Sequence, residues 1–302
     1  MEPIKHIKIR KDEKVSELVG DLGGVGFGGR KISEASEIFL EMIKDKECKV
    51  FFGLAGAMVP AGMKQIIIDM LNSGAIDVLV TTGANLTHDL IEALGHHHYK
   101  GSEKADDEEL RDKKIDRIYN VFMKNEVYQD LEKFFEEKWE DLRESKDIKS
   151  LLWALGKNID KEDSILRICY EKRIPIFCPA ISDSGIGLMI WGRKSAGKEI
   201  QIDAFDDMKE IIDFAWTAKK KGVFYVGGGV PKNFIQQSMQ FSNPADYGVQ
   251  ITLDREEGGG SSGAKLKEGI SWGKMGKEGK FVSVFCDATI ALPLVWGGVV
   301  GV

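Results

Sequence analysis

The chain has 302 residues, 43% apolar and 30% charged, with a formal net charge of −6. That is long enough to bury a substantial core and excludes disordered, fibrous and membrane-embedded chains as its class. Basic residues are mixed with acidic ones rather than gathered into a stripe that would neutralise phosphates, so nucleic acid is not the expected partner, while a mildly acidic surface suits a cationic substrate.

The opening Met-Glu-Pro-Ile-Lys-His lacks the apolar core of a signal peptide. Ile32, Ala35, Ile38, Phe39, Met42 and Ile43 recur at helical spacing, with Ser33 as the expected cap. The apolar run 49–54 predicts a strand. Pro60 then opens a helical pattern through Met63, Ile66, Ile67 and Met70 that closes at Gly74, before a second buried strand over 76–82. Strand, helix, strand in this order implies a right-handed crossover and a parallel sheet covered on both faces.

Residues 101–147 are the most charged stretch, with Tyr119, Phe122, Tyr128, Phe134, Phe135 and Trp139 spaced through it, and read as a helical excursion on the sheet edge. The alternation then resumes. Helices are predicted over 148–156 and 163–172, a strand over 174–180, a helix over 205–220, a strand over 223–227 and a helix over 231–240. The last strands fall at 247–253 and 280–287, either side of the Gly-rich segment 256–263. The apolar tail 290–302 is too short to span a bilayer and holds Pro293, Gly297, Gly298 and Gly301, so it reads as a buried terminal segment. The pattern as a whole predicts an α/β fold over 1–302 as a single domain, with a doubly wound, mostly parallel Rossmann-like sheet and helices on both faces.

In such sheets ligands bind beyond the carboxyl ends of the strands. Four small-residue loops fall there, at 53–57, 81–85, 182–187 and 226–229, and together they favour a nucleotide, although none matches Gly-x-Gly-x-x-Gly or a Walker lysine loop. The segment Glu268-Gly-Ile-Ser-Trp-Gly-Lys274 is the strongest local feature. A lysine attacks carbonyls and imines only when its ammonium is destabilised, and Trp272 beside Gly273 offers an apolar wall. From spacing alone, a solvated loop lysine is the plainer reading. Asp254, Glu256, Glu257 and Glu268 could hold the ammonium groups of a polyamine or simply form a solvated acidic loop. His96, His97 and His98 are adjacent and cannot all face one ion, so no metal site is expected. His88, after the Thr-Thr-Gly-Ala-Asn loop, is the better histidine candidate. The four cysteines, Cys48, Cys169, Cys178 and Cys286, form no Cys-x-x-Cys pair and suit reduced thiols in a cytoplasmic protein.

From about Gly24 onward the chain resembles the deoxyhypusine synthases, most closely their archaeal and bacterial members. The resemblance rests on Gly26-Phe27, 76–82, 174–180 with Asp183, Gly227-Gly-Gly-Val-Pro-Lys232, 245–247, 262–264, Glu268 to Lys274 and Cys286-Asp-Ala288. It implies a homotetramer that uses NAD and spermidine. The four-carbon aminobutyl unit passes through an imine on the lysine, here Lys274, to a lysine of the precursor of the hypusine-containing translation factor. By the same resemblance NAD would contact Gly56, Ala57, Met58, Val59, Pro60, Thr82, Gly83, Ala84, Asp183, Gly228, Asp287 and Ala288, and the polyamine would meet His88, Asn233, Ser262, Gly263, Glu268 and Trp272.

Three positions depart from the eukaryotic pattern: Asn233 replaces a histidine, His88 a glutamate and Leu188 a polyamine-binding aspartate. They open a second reading, transfer of the aminobutyl group to a small amine such as putrescine, as in homospermidine synthesis. His88 and Glu257 are the candidates to supply the missing contacts. A dinucleotide-binding protein without the reaction is a third reading, opposed by the intact Glu268 and Lys274.

Overall fold

The computed structural model describes residues 1–301. The chain divides into two compact units, one formed by Met1–Gly56, Ser73–Val80 and Met208–Val302, the other by Ala57–Asn72 and Thr81–Asp207. The elements in chain order are α1 (Val15–Leu22), α2 (Phe27–Lys44), β1 (Cys48–Leu54), α3 (Lys64–Asn72), β2 (Val78–Thr81), α4 (Gly83–Ala93), β3 (Tyr99–Lys100), α5 (Asp107–Asp112), β4 (Ile115–Ile118), β5 (Val121–Lys124) and α6 (Val127–Leu142). They continue with α7 (Ile148–Lys157), α8 (Ile165–Glu171), β6 (Ile176–Phe177), α9 (Gly185–Ser195), α10 (Ala204–Thr217), β7 (Lys220–Val226), α11 (Gly229–Gln240), β8 (Ala245–Thr252), β9 (Met275–Phe285) and α12 (Ala288–Val300).

Six strands in the order β6-β2-β1-β7-β8-β9 form a mostly parallel sheet with helices on both sides, the α/β class expected from the alternating pattern. Parallel register runs from Val50 opposite Gly222 to Gly222 opposite Tyr247 and Tyr247 opposite Lys280. Strands covered on both faces cannot alternate in polarity, and β1 and β7 are accordingly buried almost end to end.

The core of the first unit is aromatic. Phe39 of α2 meets Phe224 of β7 edge-on at 4.7 Å, Phe52 of β1 lies 5.3 Å from the same ring, and Trp296 of α12 is 6.1 Å from Phe39. Each such side chain contributes about 1.5–3 kcal/mol by leaving water. The terminal tail is the buried helix α12, and its glycines are contact points. A Cβ on Gly298 would lie 2.3 Å from Ser36 Oγ, and one on Gly297 would lie 2.4 Å from Val15 Cγ1. Ser36 donates to the Val295 carbonyl at 3.2 Å in the same contact.

The first predicted helix starts earlier than its pattern suggests. Gly26 precedes α2, and Ser33 lies buried inside the helix instead of capping it. Pro60 likewise stands in a turn before α3 instead of opening it. In the second unit, α6 buries Val127, Leu131, Phe134, Phe135, Trp139 and Leu142 along one face. The stretch 101–147 is helical only in part. Its strands β4 and β5 form an antiparallel hairpin that, with β3, makes a three-stranded sheet, and Tyr119 turns the hairpin at φ 53°. At two to four residues each, these strands are too short to show a period of their own among the charges.

Candidate active site

Two loops of the first unit are built around close approach. After β7 the chain passes Gly227 (φ 71°) and Gly229 (φ 56°) into α11, conformations that disfavour any side chain. Between them Gly228 is buried, and a Cβ there would lie 2.3 Å from the Cα of Ser262. Ser262 Oγ accepts from the Gly229 amide at 2.8 Å, so the loop after β8 is laid directly on the start of α11. Gly263 allows the loop to fold back, since its Cβ would fall 2.0 Å from the Arg255 carbonyl oxygen.

Lys232 clamps this arrangement. It is fully buried on α11, and its Nζ donates to Gln250 Oε1 at 3.0 Å and to the carbonyls of Ser261 and Ala264 at 2.6 Å each. Gln250 returns a bond from Nε2 to the Ser262 carbonyl at 2.8 Å. Burial, opposed by Glu268 and reinforced by the charge of Lys274, pushes the Lys232 ammonium down to about 8. With three hydrogens given to three acceptors, this amine is a tether and not a nucleophile.

Lys274 has no such set of acceptors. It is half-buried at the entrance to β9, behind Gly273 at φ 69°, and its Nζ stands 5.0 Å from the centroid of the Trp272 ring. The indole is itself 58% exposed, so the wall expected from Trp272 covers one side of the amine and faces solvent on the other. A cavity of about 380 Å³ is lined by Asn233, Glu268, Trp272 and Lys274 together with Lys232. Of the expected polyamine set, Ser262 and Gly263 lie in the adjoining loop. Gln236, Gln237 and Gln240 of α11 also line the cavity. Sequence reasoning missed them. Their spacing of three, four and seven residues from Asn233 along the helix was the available signal.

Of the expected dinucleotide contacts, Gly56, Gly228, Asp287 and Ala288 belong to the first unit. Gly56 is exposed at φ 77° just after β1. Asp287 caps α12, its Oδ1 accepting from the Thr289 amide at 2.7 Å and hydroxyl at 2.5 Å, so Ala288 is the first residue of that helix.

Ala57, Met58, Val59, Pro60, Thr82, Gly83, Ala84 and Asp183 belong to the second unit. Asn85 organises them. Fully buried, it accepts from the amides of Met58 (3.0 Å) and Val59 (3.3 Å) and donates to Thr81 Oγ1 at 3.3 Å and Thr82 Oγ1 at 3.4 Å. Thr82 caps α4 and Ser184 caps α9. These two helix starts touch where a Cβ on Gly83 would lie 2.4 Å from that of Ser184. Two helix N-termini side by side give partial positive charge, which suits an anionic group. Asp183 is exposed next to the second of them. His88 sits on α4, also in the second unit, with Nδ1 2.9 Å from His98 Nε2. Among the described residues no cluster of His, Cys, Asp and Glu has the geometry of a metal centre.

The family model for deoxyhypusine synthase matches residues 17–299. A Methanosarcina acetivorans protein named as a probable deoxyhypusine synthase 1 is 48% identical over 97% of this chain and 93% of its own length. The chain belongs to the deoxyhypusine synthase family. An Archaeoglobus fulgidus member named in the same way is 45% identical over 96% of this chain and 95% of its own. The fold agrees. A crystal structure of an Entamoeba histolytica protein assigned as a deoxyhypusine synthase superposes with a TM-score of 0.68 at 19% identity, covering 99% of this chain and 97% of that one.

Family membership places an enzyme with a transferase function on this fold. The positions that depart from the eukaryotic family pattern are now located. Asn233 is half-buried and lines the cavity with Lys274, whereas Leu188 is exposed on α9 and His88 is engaged by another histidine.

Proposed function

We propose that this family member transfers the 4-aminobutyl group of spermidine, in an NAD-dependent reaction, through an imine on Lys274 to a lysine of the hypusine-containing translation factor precursor. The observation that supports this most is the cavity of about 380 Å³ that brings Lys274, Glu268, Trp272 and Asn233 together. Of its three lysines, Lys232 is saturated by three acceptors and Lys265 is paired with Glu256, which leaves Lys274 as the amine able to attack. Glu268 supplies a carboxylate for an ammonium of the substrate.

Support for the dinucleotide comes from a cradle within the second unit that a Cβ would fill, Gly83 against Ser184, and Gly228 against Ser262 is a like close approach within the first unit. When bound, the dinucleotide supplies the hydride acceptor that amine oxidation needs. The residues of the chain do the rest: Thr82 and Ser184 fix two helix starts for its phosphates, Asn85 sets the 57–60 turn, and Lys232 holds loop 255–264 in place. Lys274 loses a proton, attacks the oxidised carbon and expels the diaminopropane unit. The acceptor lysine displaces it from that carbon in turn, and the hydride taken up at the start would return to the new imine, leaving the saturated 4-aminobutyl group on the acceptor.

Transfer to a small amine such as putrescine is the second reading. It is favoured by Asn233 in the cavity and by Leu188 on α9, since the side chains expected at those positions for a long polyamine are absent. A homotetramer and a cytoplasmic location belong to the same proposal. One experiment separates the readings: mass measurement of the products from spermidine and NAD, with the precursor protein or with putrescine. Label on one precursor lysine supports the first reading, label only in a small polyamine supports the second, and no diaminopropane with either acceptor contradicts both.

A further inference from the structure

His88 lies four residues after Ala84 on α4, so the two side chains leave the same face of the helix, with Ala84 exposed and His88 half-buried. Behind His88 runs a row of hydrogen bonds. Its Nδ1 is 2.9 Å from Nε2 of His98, Nδ1 of His98 is 2.8 Å from Oε1 of Glu92, and Oε2 of Glu92 is 2.7 Å from Nζ of Lys64. The two imidazoles meet edge to face with centroids 4.8 Å apart.

Valence fixes the hydrogens along this row. Glu92, ionised between Lys64 and His98, can only accept, so Nδ1 of His98 carries a hydrogen. In neutral His98, Nε2 is then a bare acceptor and Nδ1 of His88 must donate to it. That leaves Nε2 of His88 with a free lone pair.

We propose that Glu92 and His98 are positioning residues that hold His88 in this tautomer, and that the row is a proton relay for an amine bound at the exposed face of α4. Nε2 of His88 takes a proton from the ammonium as the donor's N–H bond breaks. The hydrogen on Nδ1 of His88 crosses to Nε2 of His98. His88 ends neutral with its hydrogen moved to Nε2, and the positive charge rests on His98 beside Glu92. Return of the proton reverses each transfer.

Geometry and burial agree on where the charge goes. Burial and the neighbouring His98, opposed by Glu92, push the His88 imidazolium down to about 4, so His88 does not keep the charge itself. The other charged groups around the row are engaged. Lys64 also faces Asp163 at 3.5 Å, Lys161 donates to the Glu92 carbonyl at 2.9 Å, and Asp89 is turned to the start of α8. From α6, Asp130 holds His96 at 2.8 Å, and on α9 Arg193 is paired with Glu136 at 2.7 Å. A dehydrogenation of an amine needs such a base, because the ammonium must lose a proton before a hydride can leave the adjoining carbon. Naming that amine as the polyamine rests on the proposed function, but the relay itself does not.

The test has a ligand-free arm and a kinetic arm, both on the full chain. Nitrogen NMR of ring-labelled histidines, assigned with His88→Gln and His98→Gln, is expected to show hydrogen on Nδ1 of both rings near neutral pH. On acidification, the hydrogen of His88 should move to Nε2. Glu92→Gln, whose amide can donate as well as accept, is expected to release His88 into a tautomer mixture. Hydrogen on Nε2 of His88 in the unaltered chain at neutral pH, or an unchanged tautomer in Glu92→Gln, overturns the proposal. In the kinetic arm, His98→Gln is expected to lower kcat for spermidine oxidation about ten-fold at similar KM and to shift the acid limb of the pH profile. An unchanged acid limb overturns the relay. Absence of turnover in the unaltered chain contradicts the proposed reaction instead, while the NMR arm still decides the relay.

Discussion

Lys232 and Lys274 differ in what surrounds the same functional group. Lys232 gives all three hydrogens to Gln250, Ser261 and Ala264, and removing it strands those acceptors in a buried place. Lys232→Met, which keeps the length of the side chain, is therefore expected to destabilise the fold by about 2–4 kcal/mol. Chemical unfolding measures the loss, and hydrogen exchange across 255–264 should rise with it. An unchanged midpoint would show that the tether is dispensable. The glycine at 228 is similarly constrained: Gly228→Ala sets a methyl 2.3 Å from the Ser262 Cα. It is expected to weaken dinucleotide binding by ten-fold or more, read by calorimetry, with the α/β circular dichroism retained.

At the scale of the element, α4 carries two groups whose titrations oppose one another. Asp89 is completely buried, and burial outweighs its bonds from the amides of Leu166 and Ile165 and from the Ser164 hydroxyl, raising the carboxyl to about 6. The folded chain thus holds this proton more tightly than the unfolded chain, and stability falls as pH rises from about 4 to 6. His88, depressed to about 4, acts the other way, because the unfolded chain takes the proton first and stability falls as pH drops from about 6.5 to 4. The two effects overlap. Asp89→Asn should steepen the loss on acidification and His88→Gln should remove it, which unfolding curves at pH 4, 5, 6 and 7 distinguish. Elements were legible where one periodicity ran long: α2, α11, β1 and the buried β7 follow from their apolar patterns. The hairpin of β4 and β5 escaped because four-residue strands set among charged neighbours are too short to show a period of their own. Ser33 was misplaced because serine caps and buried helix serines read alike until the neighbour, here the helix start at Gly26, is known.

The whole molecule leaves large apolar side chains uncovered in a single chain: Phe27 is 100% exposed, Phe205 82%, Trp216 67% and Trp191 66%. An aromatic side chain buries about 150–250 Å² when covered, so together they favour self-association. Sedimentation equilibrium is expected to give about four times the 33.6 kDa chain mass, and a monomer at micromolar concentration would contradict this part of the proposal. The segment from Glu268 to Lys274 could be read as chemistry from sequence because a family pattern surrounds it. The tether at Lys232, the hub at Asn85 and the row from His88 to Lys64 could not, since each depends on which distant backbone a side chain reaches. One measurement bears most directly on the account. The chain is incubated with spermidine and NAD, reduced with borohydride and mapped by peptide mass. A single aminobutyl addition on Lys274, lost in Lys274→Ala, is the expected result, and an unmodified Lys274 in a chain that still releases diaminopropane would contradict it.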